Sequence, residues 1–182
     1  MSADKHIVIL CSRLDLPGGI ERAVVNTANL LAAKGHSVSL LILDETANSF
    51  YPLHSDIKII QQPLSFGITQ EGNPVTRKIR LLSDVLKLRR MLKQLKPAVV
   101  IASEYPFACA AVLCGQQKRS TLFSWEHHHY HELKRNNFWE RIFKHAYPKL
   151  HTIVCLNRDE KKLFTPINPT IAVIPNFIEP VG

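Results

Sequence analysis

Long apolar runs are missing from this 182-residue chain. No stretch approaches the roughly 18 residues that a membrane span needs, and the first run, residues 6–11, is too short for the core of a secretory signal. A cytoplasmic location is therefore expected. Glycine is scarce, at 7 residues beside 11 prolines, and 46% of the residues are hydrophobic, so disorder is excluded and one compact domain with a proper core is expected. The four cysteines, Cys11, Cys109, Cys114 and Cys155, show no C-x-x-C spacing and sit mostly in apolar surroundings. That suits reduced, buried thiols rather than disulfides or a zinc knuckle.

What is present is a regular alternation. Residues 6–11 read as a strand opening into a loop, after which Ile20, Val24, Val25, Ala28, Leu31 and Ala32 recur at helical spacing, with Gly35 as the stop. Residues 37–43, 57–60, 99–102, 121–125, 152–156 and 171–174 read as further strands. Helices are expected over 106–117, 138–147 and 158–164, and 62–75 reads as a mobile loop because it has turn residues and no periodicity. Short β-branched strands alternating with helices predict a doubly wound α/β fold, mostly parallel and covered on both faces.

The charge of +8 is concentrated. Between Thr76 and Pro97 stand Arg77, Lys78, Arg80, Lys87, Arg89, Arg90, Lys93 and Lys96 against the single Asp84. Leu81, Val85, Leu88, Leu92 and Leu95 fall on one face of the same helix, which leaves Arg80, Lys87, Arg90 and Lys93 facing outward. Such a surface implies an anionic neighbour. Nucleic acid is the less favoured choice, because no aromatics for base stacking are interleaved with the charges.

In open α/β sheets ligands bind beyond the carboxyl ends of the strands. There, Gly18 and Gly19 open a helix whose free N–H groups favour a phosphate or carboxylate. A nicotinamide oxidoreductase would need G-x-G-x-x-G directly after the first strand, and the glycine-free segment 12–17 does not provide it, although Asp44 closes the second strand suitably. After the fifth strand, SWEHHHYHE packs four histidines and two carboxylates around Trp125 and Tyr130. It reads as a sugar-binding site, as a metal site if His127 and His131 share a helical face, or as a polar loop.

These residues carry a resemblance. GGIERAVVNTANLLAAKGHSVSLL, from Gly18 onward, SWEHHHY, TIVCLN and IAVIPNFIEP resemble, in order and across the whole chain, signatures of retaining family-four glycosyltransferases of bacteria. That family has the GT-B architecture of two facing Rossmann domains. The resemblance implies that residues 1–176 are the N-terminal, acceptor-side domain, that 177–182 begin the interdomain linker, and that a C-terminal donor-binding domain of the same polypeptide is absent. It implies a sugar-nucleotide donor, a saccharide or lipid-linked acceptor, and no cofactor and no metal.

By the same resemblance His127 is the catalytic residue contacting the transferred sugar, and Gly18, Gly19, Arg13 and Glu126 bind substrate. The basic helix is expected on an anionic membrane surface at the inner face of the cell membrane, where each Lys or Arg contributes ~1 kcal/mol. Glu132 and Glu140 have the spacing of the family's C-terminal glutamate pair, but they occur too early in the chain, and the match is read as coincidence. The isolated chain is expected to fold without transferring sugar.

Overall fold

The computed structural model describes residues 4–46, 48–66, 73–132 and 135–176. The expected linker, 177–182, lies outside them, as do 67–72 of the segment expected to be a mobile loop. The strands are β1 (His6–Cys11), β2 (Ser37–Ile42), β3 (Lys58–Gln61), β4 (Val99–Ala102), β5 (Thr121–Trp125), β6 (Thr152–Cys155) and β7 (Ile171–Val173). They form one seven-stranded sheet in the order β3-β2-β1-β4-β5-β6-β7, and every pairing is parallel. The order reverses between β1 and β4, which leaves a crevice beyond their carboxyl ends.

Helices α1 (Gly19–Ala33), α2 (Pro74–Leu95), α3 (Tyr105–Leu113), α4 (Asn137–Ala146) and α5 (Arg158–Phe164) lie between the strands. Alternating residues of the central strands feed two cores, as a pleated sheet buried on both faces requires, while the edge strand β3 is mostly exposed. Ile7, Ile9 and Cys11 pack with Ala23, Val24 and Ala28 of α1, whereas Val8 and Leu10 pack with Leu88 and Leu92 of α2 and with α3. All four cysteines are free and buried, as the sequence implied. Burial pushes the thiols of Cys11 and Cys114 up to about 12, so both are unreactive as nucleophiles near neutrality.

Two sequence expectations need correction. The expected helix 106–117 is shorter: α3 stops at Leu113, Gly115 takes a left-handed φ of 74°, and a separate 3-10 turn covers Gln116–Lys118. The described start of 62–75 is fixed to the core rather than loose. Leu64 and Phe66 are buried, and the Asp84 carboxylate accepts from the Ser65 and Phe66 backbone N–H groups at 3.1 and 3.0 Å. The one acid of the basic helix thus serves as an anchor for this segment, held in Phe66's left-handed φ of 49°.

Helix α2 also has a second apolar stripe that the sequence analysis missed. Val75, Ile79, Leu82 and Leu86, spaced by four, three and four, lie on its outer side and are 56–64% exposed. No described helix is long and apolar enough to cross a membrane.

Candidate functional site

The helices differ in how their N-termini are closed. Asn73, Asn136 and Asn157 cap α2, α4 and α5, each side chain accepting from two backbone N–H groups at 2.9–3.1 Å. Helices α1 and α3 begin at Gly18 and Glu104 with no side-chain cap. These are the two helices that follow β1 and β4, the strands flanking the crevice. At α1 the first N–H groups keep the partial positive charge of a helix start and remain available to an anion, whereas α3 offers only the Tyr105 N–H, because Pro106 has none and Phe107 donates to the Glu104 carbonyl at 3.1 Å.

The expected anion contacts are partly occupied. A Cβ on Gly18 would meet Oε2 of Glu21 at 2.0 Å, so a carboxylate of the first helical turn folds back over that glycine. Gly19 has open space around it and is exposed. Arg13 is turned onto Asp15, its Nε and Nη2 donating at 2.7 Å to the two carboxylate oxygens. This pairing holds Asp15 below the usual carboxylate range and raises Arg13. The segment between β1 and α1 is fastened further by buried Leu14, whose carbonyl accepts from Phe50 N–H at 2.7 Å.

Beyond β5 the chain sends neighbouring side chains to opposite faces. Trp125 enters the core on the α1 side, and the His127 ring lies tilted against it by 45°, with ring centroids 4.4 Å apart. Both ring nitrogens of His127 are buried without a hydrogen-bond partner, and so is Nε1 of Trp125. On the adjacent strand end, the Ser103 hydroxyl is buried and unpartnered as well. Buried polar groups of this kind each cost roughly 1–3 kcal/mol until something bonds them, and their clustering at one sheet edge points to a ligand. Burial lowers the His127 pKa to about 4, so the imidazole is neutral near pH 7, with one N–H donor and one acceptor.

Glu126 goes the other way. Its Oε1 accepts from the Ser124 and Tyr147 hydroxyls, the residue is 4% exposed, and burial raises its pKa above the usual carboxylate range. Burial likewise raises the Tyr147 phenol. The side chain expected to bind substrate is thus committed to the α4 side of the core, where it fixes the start of the histidine-rich segment. His129 and the Tyr130 N–H bond the Glu160 carboxylate of α5, each at 3.0 Å, and fasten the other end.

The segment is not helical between His127 and His129, so the shared helical face on which a His127–His131 metal pair depended does not form. Glu140, one of the coincident glutamates, is held by Arg135 at 2.8 Å and lies 3.5 Å from Lys144. The side chain of its companion Glu132 lies outside the described residues. The sequence pointed to the carboxyl ends of the strands in general but singled out no residue beyond β4, and the unpartnered groups of Ser103 and Trp125 emerged only from the fold. Both end or follow a strand at the carboxyl edge, which is the signal that could have found them.

The model of glycosyltransferase family 4 matches residues 17–181, which is most of the chain. The chain belongs to that family. A comparison with curated proteins finds no match. Among solved structures, a sucrose-phosphate synthase from Thermosynechococcus elongatus superposes with a TM-score of 0.65 at 13% identity, over 94% of this chain and 48% of that one. The lipopolysaccharide outer core galactosyltransferase WaaB gives 0.63 at 17% identity, over 95% of this chain and 46% of that one. A UDP-glucose:anthocyanidin 3-O-glucosyltransferase in complex with UDP gives 0.60 at 11% identity, over 99% and 54%. The chain spans about half the length of these structures, and at such identities the likeness establishes the fold. That fold is Rossmann-like and matches the N-terminal half of GT-B glycosyltransferases.

Proposed function

We propose that this chain is the acceptor-side half of a retaining bacterial glycosyltransferase. It moves a hexose from a sugar nucleotide to a saccharide or lipid-linked acceptor in envelope polysaccharide or lipopolysaccharide assembly. The observation that carries this reading is the neutral, unpartnered His127 on the same sheet edge as the uncapped N-termini of α1 and α3. His127 hydrogen-bonds a hydroxyl of the transferring sugar, and the free N–H groups at Gly19 face negative charge on the donor diphosphate or an anionic acceptor. The leaving phosphate takes the acceptor proton, so these side chains position the reactants and no metal or cofactor is called for. The UDP complex of a structural neighbour supports a nucleoside-diphosphate sugar as donor.

A second domain supplies most of the nucleotide contacts, and the chain alone folds without transferring sugar. In the polypeptide that carries both domains, His127→Ala lowers turnover by about 10²-fold or more, ~3 kcal/mol of transition-state stabilisation, with the fold intact. His128→Ala, at an exposed neighbour, leaves turnover nearly unchanged. Equal losses for both variants, or turnover by the isolated chain, overturn the reading.

Peripheral membrane contact through α2 is part of the proposal. The outer stripe Val75, Ile79, Leu82 and Leu86 lies beside exposed basic side chains including Arg90 and Lys93, the pattern of a helix lying in an anionic interface. Arg80 and Lys87 are exposed too, with Lys87 3.7 Å from Asp84. Sedimentation with anionic vesicles tests this: Leu82→Glu abolishes binding if the stripe inserts, and unchanged binding removes the basis for the contact.

A further inference from the structure

The amino-terminal edge of the sheet, opposite the crevice, holds a pocket of about 290 Å³ that the transfer reaction does not use. Its floor is Leu92 of α2 and Pro97, just before β4. Lys93, Lys96 and Arg119 stand around it, all exposed, and none is ion-paired among the described residues. Gathering such like charges at one pocket costs energy in the empty state and is offset when an anion enters.

A second observation concerns the wall. Gln116 is 1% exposed, and its Nε2 donates to the Ser120 hydroxyl at 2.6 Å. Ser120 in turn donates to the Pro97 carbonyl. That carbonyl can only accept, so the Ser120 proton is spent on it, and Ser120 must accept from Gln116. The chain of donors therefore fixes the amide orientation, with Nε2 toward Ser120 and Oε1 as the remaining acceptor. Oε1 is buried and has no partner. A bare anion satisfies the cations but not this carbonyl, which needs an O–H or N–H donor. The volume, close to ten times the ~30 Å³ share of one liquid water, admits more than a phosphate ion.

We propose that this pocket binds a phosphate monoester on a hydroxylated carrier, its phosphate held by Lys93, Lys96 and Arg119 and a hydroxyl by the Gln116 carbonyl. The site is independent of the transferase reading and lies on the opposite edge of the sheet from His127. The phosphate arrives on a free metabolite or on a lipid headgroup, since the pocket adjoins the carboxyl end of α2.

The test is calorimetric titration of the 182-residue chain with glucose 6-phosphate, inorganic phosphate and glucose at constant ionic strength. Glucose 6-phosphate binds saturably and several-fold tighter than inorganic phosphate, and glucose gives no heat. The double variant Lys96→Gln with Arg119→Gln weakens binding about tenfold or more, as loss of charge-assisted hydrogen bonds requires. Lys58→Gln with Arg158→Gln, both exposed and remote from the pocket, makes the same charge change elsewhere and leaves binding unaltered. Phosphatidylcholine vesicles with and without phosphatidylinositol 4-phosphate, whose monoester sits on a hydroxylated ring, identify the source. Competition of that lipid with glucose 6-phosphate, lost in the Lys96/Arg119 variant, assigns a headgroup, and its absence assigns a free metabolite. No saturable binding, or equal weakening by both double variants, overturns the proposal.

Discussion

Two regions at the carboxyl edge of the sheet treat their polar groups in opposite ways. Around α4 and α5 both helix starts have an asparagine cap and the Glu126 carboxyl takes two hydroxyls, while the buried Arg135 guanidinium, bonded to Glu140 and with Nη1 unpartnered, lies over the Phe143 ring. Around the β1–β4 crevice, α1 and α3 start uncapped, and Ser103, Trp125 and His127 hold buried atoms with no partner. Glu126 and His127 are adjacent in sequence and fall on either side of this divide. Saturated groups stabilise the fold, whereas unsatisfied ones keep binding energy available for a ligand. The contrast separates positions whose loss should lower stability from positions whose loss should lower function.

The largest effect is expected in the saturated region. Glu126→Ala strands the Ser124 and Tyr147 hydroxyls and opens a cavity, so denaturant unfolding should show a loss on the order of 4 kcal/mol. Glu126→Gln keeps an acceptor at the same place and should retain most of that stability. It should also remove the decline in stability that the native carboxyl produces as pH rises above its ordinary range, since its folded pKa is raised. A Gln variant as unstable as the Ala variant would break the comparison.

On the crevice side, acid should act through His127. Unfolded, the imidazole takes its proton near 6.5, and folded only near 4. In that window the unfolded chain binds more protons, so stability falls as pH drops from 6.5 to 4, by at most ~3 kcal/mol. His127→Gln should flatten this part of the stability curve, measured by thermal unfolding against pH.

A smaller effect separates the helix ends. Asn136→Ala removes the cap of α4 and should cost ~1 kcal/mol of stability while leaving turnover of the two-domain protein unchanged. Gly19→Asp is the smallest and the sharpest. A carboxylate in the open first turn of α1 should stabilise the helix by ~0.3–1 kcal/mol and yet weaken binding of an anionic donor. Equal signs for stability and binding would show that the uncapped end is not a receptor.

The α/β class, the strand positions and the inward stripe of α2 were legible in the sequence. Alternation of β-branched runs with 3.6-residue periodicity is a local signal, and burial on both sheet faces enforces it. The order of motifs likewise disclosed the family, because strand–loop–helix spacing survives where identity does not. The fates of Glu126, Arg13 and Gly18 were not legible, because each depends on a partner whose orientation the tertiary structure sets: Tyr147 from 21 residues away, Asp15 across a turn, and Glu21 folding back. Periodicity marks both apolar stripes of α2, but that Val75, Ile79, Leu82 and Leu86 are left uncovered was decided by packing. The amino acids by themselves determined which elements form and in what order. Which polar groups are paired, and which are left waiting at the crevice, was decided only when the sheet brought distant strand ends side by side.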